Sequence, residues 1–320
     1  FLVRAVKEAG IQAISGKLVG DVSLMDSIYW GEGWSWDDTP EAFQPYLSPL
    51  MLNRGCVDIK VSPSSKGKVG VVEITPESDY YQLNNRSISL HPEAGKLKIT
   101  RDWLTNGNTI DVSGSVSSVR KRTLNLYDSK RFFMDTFCYK LKKEGLSVSK
   151  DSIFFLTTPD TVQWIYTCRR PVEAVLKRAL KESDNLSAEA LFRQLGCMNG
   201  KHTSHISFKD CQGVVEGFMR NTLGYDSENY QIVDGSGVSL YNYVSPRLVL
   251  AYLNYAYRHP SLFRVFYDCL PVAGVDGTLQ GRMRTGKAFR NVRAKTGTVT
   301  GISSLAGYLT SVNGHKISFV

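Results

Sequence analysis

No apolar run in this 320-residue sequence approaches the length of a membrane-spanning helix; "LVLAYL" (248–253) is among the longest uninterrupted ones. Cysteine is scarce. Cys56, Cys138, Cys168, Cys197, Cys211 and Cys269 are too few and too scattered for a disulfide framework, and none forms a Cys-x-x-Cys pair. Acidic residues fall short of basic ones, 30 Asp and Glu against 39 Lys and Arg, which leaves a net charge of +9. The excess gathers in "SKGK" (65–68), "VRKR" (119–122), "KLKKEG" (140–145) and "CRRP" (168–171). Such clusters are usually solvated faces; the functional reading is attraction to a polyanion, either nucleic acid or an anionic cell wall. No nucleic-acid-binding motif accompanies them, so a nucleic-acid partner is not expected. An initiating methionine is missing too. The chain opens at Phe1 inside an amphipathic helical pattern and stops at Val320 inside a strand pattern, so it reads as a piece of a longer polypeptide whose compartment a missing leader cannot reveal.

What is present is enough for a full core: 42% of residues are hydrophobic, and the length suits two or more domains. The first half alternates apolar and polar residues in short stretches, 13–25, 56–63, 68–76, 95–103 and 108–119, punctuated by Gly, Pro and Asn. At its edges "AVKEAGIQAI" (5–14) echoes "KLKKEGLSVS" (140–149): a helix, a glycine stop, then a strand. Two such units around a β-rich stretch predict an insertion that leaves one domain and returns to it, with residues 1–160 inserted and about 50–125 the inner unit. The second half, 161–320, is helical first. Helices are expected from Pro171, from near Ala188 to Gly196, over 212–224 and over 245–259, with strands last. Helices against an antiparallel sheet make the fold class α+β.

The chemistry concentrates in "NVRAKTGTVTGISSLAGYL" (291–309). Lys295, Thr296, Gly297 and Thr298 sit on a strand, and Asn313-Gly314 turns the chain into the next one. Strand alternation points Lys295 and Gly297 one way and Thr296 and Thr298 the other. The partner is Ser183-Asp184-Asn185, at a helix–helix junction. A serine acyl-transfer enzyme needs a nucleophile with a base, a proton relay to the leaving group, hydrogen bonds aligning the scissile amide, and an oxyanion hole. Ser183 suits the relay and Asn185 the amide. Lys295 brings positive charge, and Thr298 an oxyanion-hole N–H with a hydroxyl for a substrate carboxylate. Gly297 leaves room for substrate along the strand, and Thr296 is expected to line the cleft with Ser183, Asn185, Lys295 and Thr298 as a substrate-binding residue.

Ser-Asp-Asn followed by Lys-Thr-Gly is two of the three elements of penicillin-recognising serine enzymes, in the expected order. Together with "ESDNLSAEALFRQLG", "VDGSGVSLYNYVSP" and "LPVAGVDGTL", these segments resemble the D-alanyl-D-alanine carboxypeptidase/endopeptidase family, the class C type of low-molecular-mass penicillin-binding proteins. "GIQAISGKLVGDVSLMD", "GEGWSWDD" and "LNRGCVDI" resemble that family's large insertion. The resemblance implies a transpeptidase-like domain carrying a β-rich insertion and a periplasmic or cell-envelope location. It implies hydrolysis of peptidoglycan stem peptides through an acyl-enzyme, with β-lactams as inhibitors and no cofactor or metal. In that family the nucleophile and base form a Ser-x-x-Lys motif opening a buried helix. Ser65–Lys68, Ser118–Lys121 and Ser147–Lys150 match by spacing, yet none opens an apolar helix. The nucleophile is therefore expected upstream of Phe1.

Other readings stand beside this one. Asp234-Gly235-Ser236-Gly237, with Asp276 and His315 downstream, imitates the order of an α/β-hydrolase triad, but its second glycine is misplaced and no helix follows at once. The segment reads instead as a turn shaping the cleft wall, with Ser236 retained as a substrate contact. Cys197, His202, His205 and Cys211 match no common zinc spacing; a Cys197–Cys211 disulfide or plain thiols fit better. "YWGEGWSWDD" (29–38) suits packing more than a glycan platform. A scaffold of the same fold that binds peptidoglycan without catalysis is the alternative of a different class. A class A β-lactamase is disfavoured by the long β-rich insertion.

Overall fold

The computed structural model describes residues 1–159, 161–198 and 205–320. They form two compact units, one of residues 1–30 with 36–168 and one of residues 31–35 with 169–320.

The first unit contains α1 (Leu2–Glu8), β1 (Leu18–Gly20), β2 (Cys56–Ser62), β3 (Val71–Thr75), β4 (Gln82–Ser89), β5 (Lys98–Arg101), β6 (Thr109–Val116), β7 (Arg120–Asn125), α2 (Ser129–Lys143) and β8 (Ile153–Phe155). Two three-stranded sheets run in the orders β3-β2-β7 and β4-β6-β5. Alternation along β2 and β6 sends Val57, Ile59, Val61, Ile110, Val112 and Val116 into one core. Arg101 is also buried there. It donates to the carbonyls of Asn125 and Gly107, both at 2.8 Å, and to the Asn125 side chain, Thr39 and Tyr46. These acceptors are what allow a guanidinium to be enclosed. The echo between the two ends has a structural counterpart. Gly10 (φ +77°) and Gly145 (φ +86°) follow the two helices, Ala13 bridges Ser147, and β1 pairs with β8 in parallel. Val6, Cys138, Leu141 and Val148 pack beneath this pair. Strands β4 and β7 were not expected: Ser87 and Ser89 are the buried residues of β4, and β7 opens on Arg-Lys-Arg, so neither shows an apolar alternation.

The second unit contains α3 (Val172–Lys181), α4 (Asn185–Met198), α5 (Phe208–Phe218), α6 (Pro246–Arg258), α7 (Pro260–Cys269), β9 (Arg293–Val299), β10 (Ile302–Thr310) and β11 (Lys316–Phe319). The strands form an antiparallel sheet in the order β11-β10-β9, with Asn313 and Gly314 in the turn before β11. Two helices begin earlier than apolar periodicity suggests, because polar caps set their starts. Asp184 accepts from the Ser187 N–H (3.0 Å) and hydroxyl (2.5 Å), so α4 starts at Asn185. Ser207 and Asp210 form a reciprocal capping box that starts α5 at Phe208. Helix α7, absent from the sequence reading, follows α6 directly, with Pro260 as its first residue. Tyr308 of β10 is fully buried and donates to the Leu253 carbonyl of α6 at 2.7 Å, tying sheet to helix. Trp34 is buried in this unit as a packing residue, whereas in the first unit Trp36 is 66% exposed and lies 5.3 Å from the Trp103 ring.

Candidate active site

The chain between α3 and α4 reverses within three residues, with Ser183 in the left-handed region (φ +56°). The Asp184 cap, which also lies 3.6 Å from the Arg178 guanidinium, fixes that reversal. Ser183 and Asn185 are left half-buried on either side of a buried aspartate.

Lys295 reaches this junction from β9. Its ammonium donates to the Ser183 hydroxyl at 2.7 Å and to the Thr296 carbonyl at 2.6 Å. No carboxylate among the described residues pairs with it, and burial lowers its pKa. A half-buried cation that no carboxylate among the described residues neutralises, bonded to a hydroxyl, is suited to move a proton through that hydroxyl and to attract an anionic ligand. Residues of alternate parity take the other face. Ala294 is in the core with Ala273 and Leu279, and the Thr296 hydroxyl donates to Thr278 at 2.9 Å. Thr296 therefore offers Lys295 its carbonyl rather than its side chain. Gly297 lies opposite Ser304 on β10, and a Cβ at 297 would run into the Ser304 hydroxyl. Thr298 is exposed opposite Ser303.

The loop over 272–279 holds these two pieces together. Asp276 accepts from the Val272 N–H (2.8 Å) and from Lys181 at the end of α3 (2.6 Å). Burial pushes the Asp276 carboxyl up, but Lys181 and the Val272 N–H outweigh it and hold the group below the usual range. Gly277 (φ +55°) lies so close to α3 that a Cβ would sit 2.5 Å from the Lys181 carbonyl oxygen. One residue on, Thr278 takes the bond from β9. A single short loop thus sets the spacing between Ser183 and Lys295.

Ser236 belongs to a turn organised by two buried carboxylates. Asp234 accepts from the Gly237 N–H, the Ser239 N–H, the Asn242 amide and the Trp34 indole, all within 2.8 Å. Glu189 of α4 accepts from the N–H groups of Gly235 (3.1 Å) and Ser236 (2.8 Å). Burial, then Asp234, pushes the Glu189 carboxyl up to about 7. The hydrolase-like triad does not assemble: the Asp276 carboxylate is taken by Lys181, and His315 lies exposed in the turn before β11. Among the candidate zinc ligands, His202 lies outside the described residues, while Cys197 and Cys211 are free thiols that both face the Arg193 carbonyl. Of the Ser-x-x-Lys matches, Ser65 and Ser118 lie in bends and Ser147 in an isolated bridge, none of them in an α-helix.

Sequence reasoning missed Glu189, Lys181 and Thr278. The signal for Glu189 was present: a carboxylate one helical turn after Asn185, on a face that Phe192 and Gly196 share. Lys181 and Thr278 gave none, since a lysine in a last turn and a threonine after Gly277 are ordinary.

A lysine on a sheet strand bonded to a serine at a helix junction defines a class, the serine acyl-transfer enzymes with a penicillin-binding fold. Penicillin binding protein 4 of Haemophilus influenzae has this fold: it superposes with a TM-score of 0.81 at 25% identity, over 99% of this chain and 70% of that one. Residues 1–320 match the D-Ala-D-Ala carboxypeptidase 3 (S13) family throughout, and the chain belongs to that family of serine peptidases. It is 26% identical to the D-alanyl-D-alanine carboxypeptidase DacB of Haemophilus influenzae, over 100% of this chain and 67% of the relative. It is 29% identical to the D-alanyl-D-alanine carboxypeptidase of Actinomadura sp. (strain R39), over 97% of this chain and 60% of the relative. The chain thus spans about two thirds or less of these curated relatives. Among the described residues, no helix is long and apolar enough to cross a membrane.

Proposed function

We propose that the protein is a serine DD-peptidase that cleaves D-Ala-D-Ala-like termini or peptide cross-links of peptidoglycan stem peptides through an acyl-enzyme. β-Lactams acylate it at the same site, and it works in the cell envelope. The observation that carries this reading is the 2.7 Å bond from Lys295 to Ser183, in a family of D-Ala-D-Ala carboxypeptidases. Residues 1–160 act as the β-rich insertion of the catalytic domain, to which 161–320 contribute.

The attacking serine and its lysine base lie outside residues 1–320, since no Ser-x-x-Lys match here opens a helix. That serine's oxygen adds to the penultimate D-alanine carbonyl, and its proton passes to the base. The N–H of Thr298 stabilises the oxyanion. As the C–N bond breaks, Ser183 gives its proton to the leaving amine and Lys295 replaces it. Asn185 holds the amide in line, and Lys295 and the Thr298 hydroxyl attract the terminal carboxylate. Water then hydrolyses the ester and frees the nucleophile.

Intact mass of the full-length protein after incubation with a penicillin tests the reading. Wild type should gain one penicillin mass, and Lys295→Ala should gain almost none. Equal labelling of the two would remove Lys295 from the mechanism. No adduct on wild type would favour the non-catalytic peptidoglycan scaffold.

A further inference from the structure

Glu189 is 1% exposed, a place where a carboxylate is costly unless its oxygens are used. Among the described residues only one of them is: Oε1 takes both turn N–H groups, while Oε2 is buried with no hydrogen-bond partner there. The turn lies hard against α4. A Cβ on Gly235 would sit 2.7 Å from the Ala188 carbonyl oxygen and would strike Phe192. Asp234 already serves the N–H groups of Gly237 and Ser239, so the Gly235 and Ser236 donors are the ones handed across to the helix. The helix receiving them is the one that begins with Asn185. Four residues of α-helix rise about 6 Å, so the Ser236 turn is seated one turn along from Asn185. The Ser236 hydroxyl makes a long 3.4 Å bond to Asp234 and also interacts with the Glu189 carboxyl, so the side chain as well as the backbone of this turn is tied to the helix.

We propose that Glu189 is a positioning residue of the acylation site, joining the Ser236 turn to the Asn185 helix so that both present one rigid wall to the substrate. Asn185 holds the scissile amide, and Ser236 meets the substrate about 6 Å further along α4. The inference rests on the acyl-enzyme reading above. A positioning role predicts weaker binding with nearly unchanged chemistry, because the misplaced wall is not the reacting group.

The experiment is saturation kinetics of acylation by a fluorescent penicillin on the full-length protein, separating the dissociation constant from the acylation rate constant. Glu189→Met, apolar and of similar length, should raise the dissociation constant about tenfold and change the rate constant by less than about threefold. Glu189→Gln keeps an acceptor for the two N–H groups and should recover most of the binding. Ser236→Ala should add little to Glu189→Met, since both act through one contact. Normal binding by folded Glu189→Met, or equal losses in Met and Gln, overturns the proposal while leaving the acyl-enzyme reading intact. Failure of wild type to acylate overturns both. If the Met variant does not fold, amide hydrogen exchange in wild type decides: acylation should slow exchange at Gly235 and Ser236, and unchanged exchange there refutes the shared wall.

Discussion

Replacing Glu189 with Gln should make the protein less sensitive to rising pH. Two effects compete at this carboxyl. The Ser236 side chain and the two N–H bonds to Oε1 favour the anion, while burial and the neighbouring Asp234 favour the neutral acid. Burial, first, and Asp234 outweigh the bonds, and the group moves from 4.5 to about 7. A carboxyl raised in the fold contributes stability that is fully present below its unfolded pKa and lost as the pH climbs through the folded one. The window therefore runs from about pH 4.5 to about pH 7, and the full loss is about 3 kcal/mol at 1.36 kcal/mol per pH unit. Glutamine is neutral throughout. Urea unfolding of wild type and Glu189→Gln at pH 5, 6, 7 and 8 should show similar stabilities at pH 5 and a lead for the variant that grows to about 2–3 kcal/mol by pH 8. A difference that stays constant with pH would mean that the hydrogen bonds cancel burial, and a wild type that gains on the variant as the pH rises would mean that they outweigh it.

Three further substitutions test the framework, two around the site and one in the first unit. Gly235→Ala forces a methyl group against the Ala188 carbonyl and Phe192, and should lower stability by about 1–3 kcal/mol in urea unfolding; an unchanged midpoint would mean the turn does not press on α4. Asp276→Asn breaks the ion pair with Lys181 and should slow penicillin acylation. Because the Asp276 carboxyl is held low, its stabilisation is present above the ordinary carboxylate range and lost as acid takes the pH below it. Thermal melts of wild type and variant should therefore diverge above about pH 5 and draw together as acid takes the pH below the ordinary carboxylate range. In the first unit, Arg101→Met strips several buried acceptors of their donor at once and should cost about 3 kcal/mol or more, read as an earlier urea midpoint; a loss under about 1 kcal/mol would mean that those acceptors find other donors.

The parts legible in the sequence were those written in local patterns. The Lys295 strand and its return were readable because Asn313-Gly314 marks a turn between two alternating runs. The Ser183 junction was readable because an apolar helical stripe stops at it. The start of α4 was not, since it depends on an aspartate cap rather than on apolar spacing. Strands β4 and β7 were hidden because their buried residues include serines and an asparagine, held by hydrogen bonds from other segments. Thr296 was expected in the cleft on its residue type; that its hydroxyl bonds Thr278 depends on a loop distant in sequence and was not legible. Glu189 was legible only in its helical spacing from Asn185: a glutamate in a helix ordinarily faces water, and only the arrival of a turn from a distant stretch explains its burial.

The parallel pairing at the two ends of the first unit has a consequence for how the molecule tolerates change. Ala13 and Ser147 stand side by side, so everything between them departs from and returns to one spot. Once that junction is stitched, the entropy of closing the intervening chain grows only with the logarithm of its length, about 0.6 kcal/mol per doubling. Length in this region is thermodynamically cheap, whereas a change at Gly10, Ala13, Gly145 or Ser147 would open the stitch itself. Relatives of this chain should then differ in size mainly between these points, and a circularly permuted version with new termini in the β-rich stretch should retain its fold.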